Sequence, residues 1–94
     1  MRLIKLSQKE FGTVVKVDEY FREVLPARIP PGKFRVPSGW IAKHGINAGE
    51  LLLFSYLSNI RYIAQAASSR RVNHDDQSKI YPYFFESTWH QFVP

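Results

Sequence analysis

The sequence predicts a small, mainly β domain: a curled sheet or open β-barrel of about five or six short strands with one or two short helices. Three observations point there. The apolar runs are brief, the longest being Leu51–Leu52–Leu53–Phe54. Proline, glycine, asparagine and serine interrupt them at short intervals. With 94 residues the chain can fill one small core, and short strands in that number fit no large layered fold. A hydrophobic content of 45% and an aromatic content of 15% supply that core and argue against disorder.

Each element has its own signal. Arg2–Leu6 alternates well enough for an opening strand, and the β-branched run Thr13–Val17 reads as a second. Asp18 then serves as N-cap to a short helix over residues 19–25, where Phe21, Val24 and Leu25 recur at helical spacing and Pro26 ends the turn. Residues 26–33 hold three prolines and a glycine, a stiff extended connection. Lys33–Val36 is a strand, Ser38 caps a one-turn helix over 39–44, and Gly45 ends it.

A tight turn over 46–50 leads into strands 51–57 and 60–67, joined across Ser58–Asn59 as a hairpin near the sheet centre. Residues 68–78 form a polar loop. Lys79–Glu86 is a further strand, with Pro82 implying an edge position or a bulge, and Ser87–Val93 extends it before Pro94. The run reads as a single recognition domain, residues 1–94, cut from a longer polypeptide.

Composition narrows the function classes. There is no cysteine, hence no disulfide, thiolate metal site or cysteine nucleophile. No apolar run approaches the roughly 18 residues of a membrane-spanning helix, and the N-terminus lacks a signal peptide's pattern, so a cytoplasmic location is expected. The formal charge is +5, and residues 1–36 carry eight Lys/Arg against four Asp/Glu, while residues 24–49 contain no acid. That excess favours an anionic partner, with nucleic acid first.

Catalytic signatures are missing. The five glycines fit neither a dinucleotide fingerprint nor a phosphate loop, and no G-x-S-x-G elbow occurs. His74–Asp75–Asp76 lies in a polar loop without a second ligand set, which reads as a solvated turn. Metal, cofactor and catalytic residue are therefore all absent from the expectation, which is a binding domain. Unstacked bases are held between aromatic faces while Arg and Lys neutralise phosphate. Trp40, Tyr56 and Trp89 are candidates for the stacking role, although in so small a barrel most large aromatics are core. Lys33, Arg35, Lys43, Arg61, Arg70 and Arg71 are the candidate phosphate contacts.

Residues 46–68, INAGELLLFSYLSNIRYIAQAAS, resemble the signature hairpin of the PUA-like superfamily, especially its EVE and YTH branches. The likeness rests on Gly49–Glu50, Leu51–Tyr56 and the small-residue ending Ile63–Ala64–Gln65–Ala66, with Arg2–Leu6 and Lys79–Glu86 resembling the family's first and later strands. The resemblance implies a reader whose aromatic pocket takes a flipped, often methylated base in DNA, with RNA left open. It also implies a specificity module linked to a restriction nuclease or a translocase. By position it assigns the pocket to Ser38, Trp40, Ser55 and Tyr56, with Trp89 as a further wall. Residues 32–54 are also similar to the plant-type pseudobarrel DNA-binding domain and to swapped-hairpin regulators, both of which bind duplex grooves. A small non-enzymatic, antitoxin-like interaction protein is the alternative outside nucleic-acid binding.

Overall fold

The computed structural model describes residues 1–36, 45–74, 80–81 and 83–94. They form a curled, half-barrel sheet, as the sequence predicts, with a helical segment packed against it through Val17, Phe21 and Leu25. The strands are β1 (Arg2–Lys5), β2 (Lys33–Val36), β3 (Leu51–Tyr56), β4 (Asn59–Ala66), β5 (Arg71–Val72) and β6 (Tyr83–Phe92). Their order is β1-β3-β4-β6-β2, with β5 alongside β6. Only β1 and β3 run parallel; every other pairing is antiparallel.

The hairpin β3–β4 occupies the centre of the sheet. It is entered through a turn at Asn47–Glu50, where Gly49 has φ +89° and the Glu50 amide bonds the Asn47 carbonyl at 3.1 Å. Glu50 is fixed there by the Asn47 amide and by Arg2 on β1 (3.1 Å). Burial alone would raise its carboxyl, but these donors outweigh burial and hold it below its ordinary value. The hairpin turn falls at Leu57–Ser58, one residue earlier than the sequence indicates, with φ of 50° and 68° at the two positions. That is the twist-matched geometry of a two-residue hairpin, made here without asparagine or glycine.

The run Thr13–Val17 is helical rather than extended. Thr13 caps α2 (Val14–Glu19) by accepting from the Lys16 amide at 3.2 Å, so the helix starts five residues before the predicted 19–25 segment. A π-helical turn over Tyr20–Val24 follows, and the Leu25 amide reaches the Tyr20 carbonyl five residues back. α3 (Leu25–Ala27) contains Pro26, so the proline sits inside the final turn instead of before it. The reason α2 wins is burial: Val17, Phe21 and Leu25, spaced by four, are at most 2% exposed and point into the sheet. Upstream, α1 (Gln8–Phe11) is capped by Ser7, whose hydroxyl accepts from the Glu10 amide.

The core is aromatic. Phe21 stacks on Tyr62 with centroids 4.3 Å apart and meets Phe54 edge-on at 4.9 Å; Phe34 joins Phe54 and Phe85. Burying each such ring stabilises the fold by about 1.5–3 kcal/mol before packing geometry is counted. The helix is also tied to β4 by polar groups: Asp18 accepts from the Tyr62 hydroxyl (3.0 Å) and pairs with Arg61 (3.4 Å).

β6 lies inside the sheet, not at its edge. Its first half pairs β2 on one side and β5 on the other, and its second half pairs β4. Between those halves, Trp89 and His90 stand opposite the single residue Ala64, a bulge whose first member, Trp89, has φ +41°. Residues three apart point to opposite faces of a regular strand; the inserted residue returns His90 to the face of Ser87. The Ser87 Oγ and His90 Nε2 are consequently 2.7 Å apart.

Candidate nucleic-acid interface

The strands β2, β6 and β5 bring Lys33, Arg35 and Arg71 of the predicted phosphate contacts together. Arg35 pairs with Phe84, and Phe84 pairs on its other side with Arg71, so the three residues form one row across the sheet. Directly opposed residues on neighbouring strands share a face. Two residues along β2, Lys33 lies opposite Glu86 on that same face but is buried, only 7% exposed. Arg71 reaches the Glu86 carboxylate at 3.7 Å. Arg70, one residue before β5, stacks instead on Tyr83, which packs against the core on the face of β6 opposite Phe84.

These cations are seated on aromatic rings. The Lys33 ammonium is 4.7 Å from the Phe84 centroid, the Arg35 guanidinium 4.8 Å from Tyr81, and the Arg70 guanidinium 4.4 Å from Tyr83. Arg28 over Tyr20 (4.9 Å) and Arg61 over Phe92 (5.1 Å) bring the total to five among the described residues. Such pairs occur roughly once per 70–80 residues in ordinary structures, so the density here is high. A guanidinium stacked on a ring keeps its edge N–H groups pointed outward for a phosphate.

Among the described residues the half-barrel is open beside this cluster. The edge strands β1 and β2 do not pair with each other, and between them lies a cavity of about 520 Å³, within the usual size of a ligand site. Its apolar wall comes from Ile4, Leu6, Phe11, Tyr20, Phe34 and Val36. Its polar groups are Lys5, Ser7, Glu10 and Arg35. Phe11 meets Tyr20 edge-on at 5.1 Å and Tyr20 meets Phe34 at 6.1 Å, which fixes the aromatic side.

Hydrogen bonds hold the rim in place. The Tyr81 hydroxyl donates to Glu10 Oε1 at 2.7 Å, and that bond, with some burial, raises the Tyr81 phenol above its ordinary pKa and keeps it a donor. Arg28 donates to the Tyr20 hydroxyl at 2.8 Å and to the Lys33 carbonyl at 2.9 Å, tying α3 to β2. Burial raises the Tyr20 phenol despite Arg28. Arg35, Tyr81 and Glu10 thus form a chain from the cation cluster to the cavity mouth.

The predicted pocket residues are dispersed. Ser55 is buried and its carbonyl accepts from the Leu6 amide at 2.8 Å. Tyr56 is a core residue, 2% exposed, and its hydroxyl has no hydrogen-bond partner among the described residues. Trp89 is 49% exposed and donates its indole N–H to Gln65 Oε1 at 2.9 Å. Gln65 pairs with Leu51, at the end of the hairpin away from Tyr56, so five strand residues, about 17 Å, separate the two sites. Trp89 lines its own groove of about 330 Å³ with Pro26, Pro31 and Gly32. Of the phosphate candidates, Arg61 stands apart, engaged with Asp18. Ser38, Trp40 and Lys43 lie outside the described residues, as does the helix expected over 39–44.

Sequence reading missed Phe11, Tyr20 and Phe34 as a group because they come from three separate elements. One signal was available: Ser7-x-x-Glu10 is the capping pattern of a helix start, and it places Phe11 at the close of α1.

Comparison with family models, curated proteins and solved structures finds no match to this chain. No helix among the described residues is long and apolar enough to cross a membrane.

Proposed function

We propose that this chain is a nucleic-acid recognition module, DNA being the first substrate to consider, which grips the backbone along β2, β6 and β5 and admits one unstacked base to the cavity between β1 and β2. The observation that carries the reading is the adjacency of two features: a row of cations at Arg35 and Arg71, and an aromatic-walled cavity whose rim includes Arg35 itself. Phosphate binding is electrostatic and sequence-independent, whereas a base is read by stacking and by hydrogen bonds to its edge. Arg35 belongs to both the cation row and the cavity lining, which supports this reading.

The apolar floor of Ile4, Leu6 and Val36 also suits a methyl group, which keeps the PUA-like, modified-base version of this reading in play. In that version the domain supplies specificity, and a linked nuclease or translocase supplies the chemistry. The pocket then lies at the seam of the half-barrel and not along the hairpin.

The test is binding of fluorescent single-stranded DNA, duplex DNA and RNA over a range of salt. Affinity that falls steeply and linearly in logarithmic salt supports the proposal. Absence of binding at low salt overturns it in favour of a protein-interaction role.

A further inference from the structure

Resting on that reading, we propose that the base taken by the cavity is guanine, recognised through its paired donors by the Glu10 carboxylate. The cavity contains one carboxylate and two cations, Glu10 against Lys5 and Arg35. A ligand that matches this set carries hydrogen-bond donors at one end and negative charge at the other, as a nucleotide does. Phe11, Tyr20 and Phe34 provide the faces on which a planar ring stacks.

The choice among bases follows from the pattern on their pairing edges. A carboxylate only accepts, with two oxygens and about four lone-pair directions. Tyr81 occupies one direction on Oε1 at 2.7 Å, which orients the group and leaves Oε2 and the second direction of Oε1 available. Guanine presents two adjacent donors, its ring N1–H and its 2-amino group, and these match two carboxylate oxygens side by side. Adenine and cytosine set a ring nitrogen acceptor next to their amino group, and thymine or uracil flanks a single N–H with two carbonyls. Each of those would place a lone pair against a carboxylate lone pair, so the carboxylate rejects three bases as well as accepting one. Lys5 and Arg35 lie on the same cavity, where they neutralise the phosphates that flank the extruded nucleotide.

Glu10 is suited to a test because its structural contribution is separable. The α1 cap uses its backbone amide, not its carboxylate. Glu10→Gln therefore leaves the cap in place while converting a two-oxygen acceptor into one acceptor and one donor. The probes are single-stranded heptamers of thymidine carrying guanine, adenine, cytosine or thymine at the central position, measured by fluorescence anisotropy at low salt. A preference of about tenfold or more for the guanine heptamer, reduced to less than about twofold by Glu10→Gln, supports the proposal. Equal affinity for all four heptamers overturns the guanine assignment and leaves nucleic-acid binding standing. A guanine preference that survives Glu10→Gln overturns the role of the carboxylate. If no heptamer binds, this inference fails; duplex or RNA binding in the broader salt series then decides separately whether the nucleic-acid reading fails with it.

Discussion

Gly32 and Ser87 are joined twice: the Gly32 carbonyl accepts from the Ser87 amide at 2.9 Å and from the Ser87 hydroxyl at 3.2 Å. The approach is so close that a Cβ on Gly32 would overlap the Ser87 carbonyl oxygen. Gly32 also has φ +78°. Two backbones cannot yield as a side-chain tip can, so Gly32→Ala is expected to cost more than about 3 kcal/mol. Gly49→Ala, at φ +89° but with open space around the site, should cost about 1–2 kcal/mol. Urea unfolding midpoints of the two variants compare them, and equal losses would contradict the close-approach account.

The hairpin turn offers the opposite prediction. Leu57 and Ser58 both hold positive φ, and Leu57 is exposed. Leu57→Asn with Ser58→Gly supplies residues that adopt this geometry at little cost, and should stabilise the domain by about 1–2 kcal/mol. A thermal midpoint that does not rise shows that the turn is not strained as described.

A pH dependence follows from His90. Its ring packs against Phe21 at 5.6 Å, and burial lowers its pKa below the ordinary value. The Ser87 Oγ and His90 Nε2 are 2.7 Å apart, a contact the neutral ring satisfies as either donor or acceptor. A depressed histidine pKa means that the unfolded chain takes up the proton first. Stability is complete above about pH 6.5, declines as pH falls through that value, and levels off below the folded-state pKa. His90→Gln should flatten this part of the profile measured by chemical unfolding between pH 7.5 and 5.

For binding, the cations separate into two groups. Arg35→Ala and Arg71→Ala should each weaken binding to every sequence and reduce the steepness of the log affinity against log salt plot by about 0.7–0.9. Arg61→Ala should leave that slope unchanged, because Arg61 is spent on Asp18, and should instead lower stability by leaving Asp18 with only the Tyr62 hydroxyl. Salt titrations of the three variants distinguish the roles.

Much of the fold was legible because its strongest signals are local. The hairpin is marked by two apolar runs around a polar break, and the turn at Asn47–Glu50 by its glycine. The position of the hairpin loop was missed by one residue because Leu57–Ser58 carries none of the usual left-handed residues. Thr13–Val17 misled for a different reason: three valines favour a strand locally, but only a helix carries Val17 to the face it shares with Phe21 and Leu25. Pro82 pointed to an edge position or a bulge for this strand; β6 begins at Tyr83, lies inside the sheet and carries its bulge at Trp89–His90.

The candidate interface was legible in part. Arg35, Arg70 and Arg71 stood out as charges, but their aromatic seats are not neighbours in sequence; Tyr81 lies 46 positions beyond Arg35. Only the register of β6 against β2 and β5 joins them. Tyr56 shows the converse, since its place in a central strand made it core before it could line a pocket.

The double duty of β6 has a dynamic consequence. One continuous strand supplies the ladder partners of β2 and β5 at its start and of β4 at its end. Neither portion of the sheet can release its amides to solvent without fraying the strand the other depends on. Hydrogen exchange should therefore give the amides paired across Phe34 and Phe85 the same opening free energy as those paired across Gln65 and Thr88, a single cooperative unit spanning the cation cluster and the Trp89 groove.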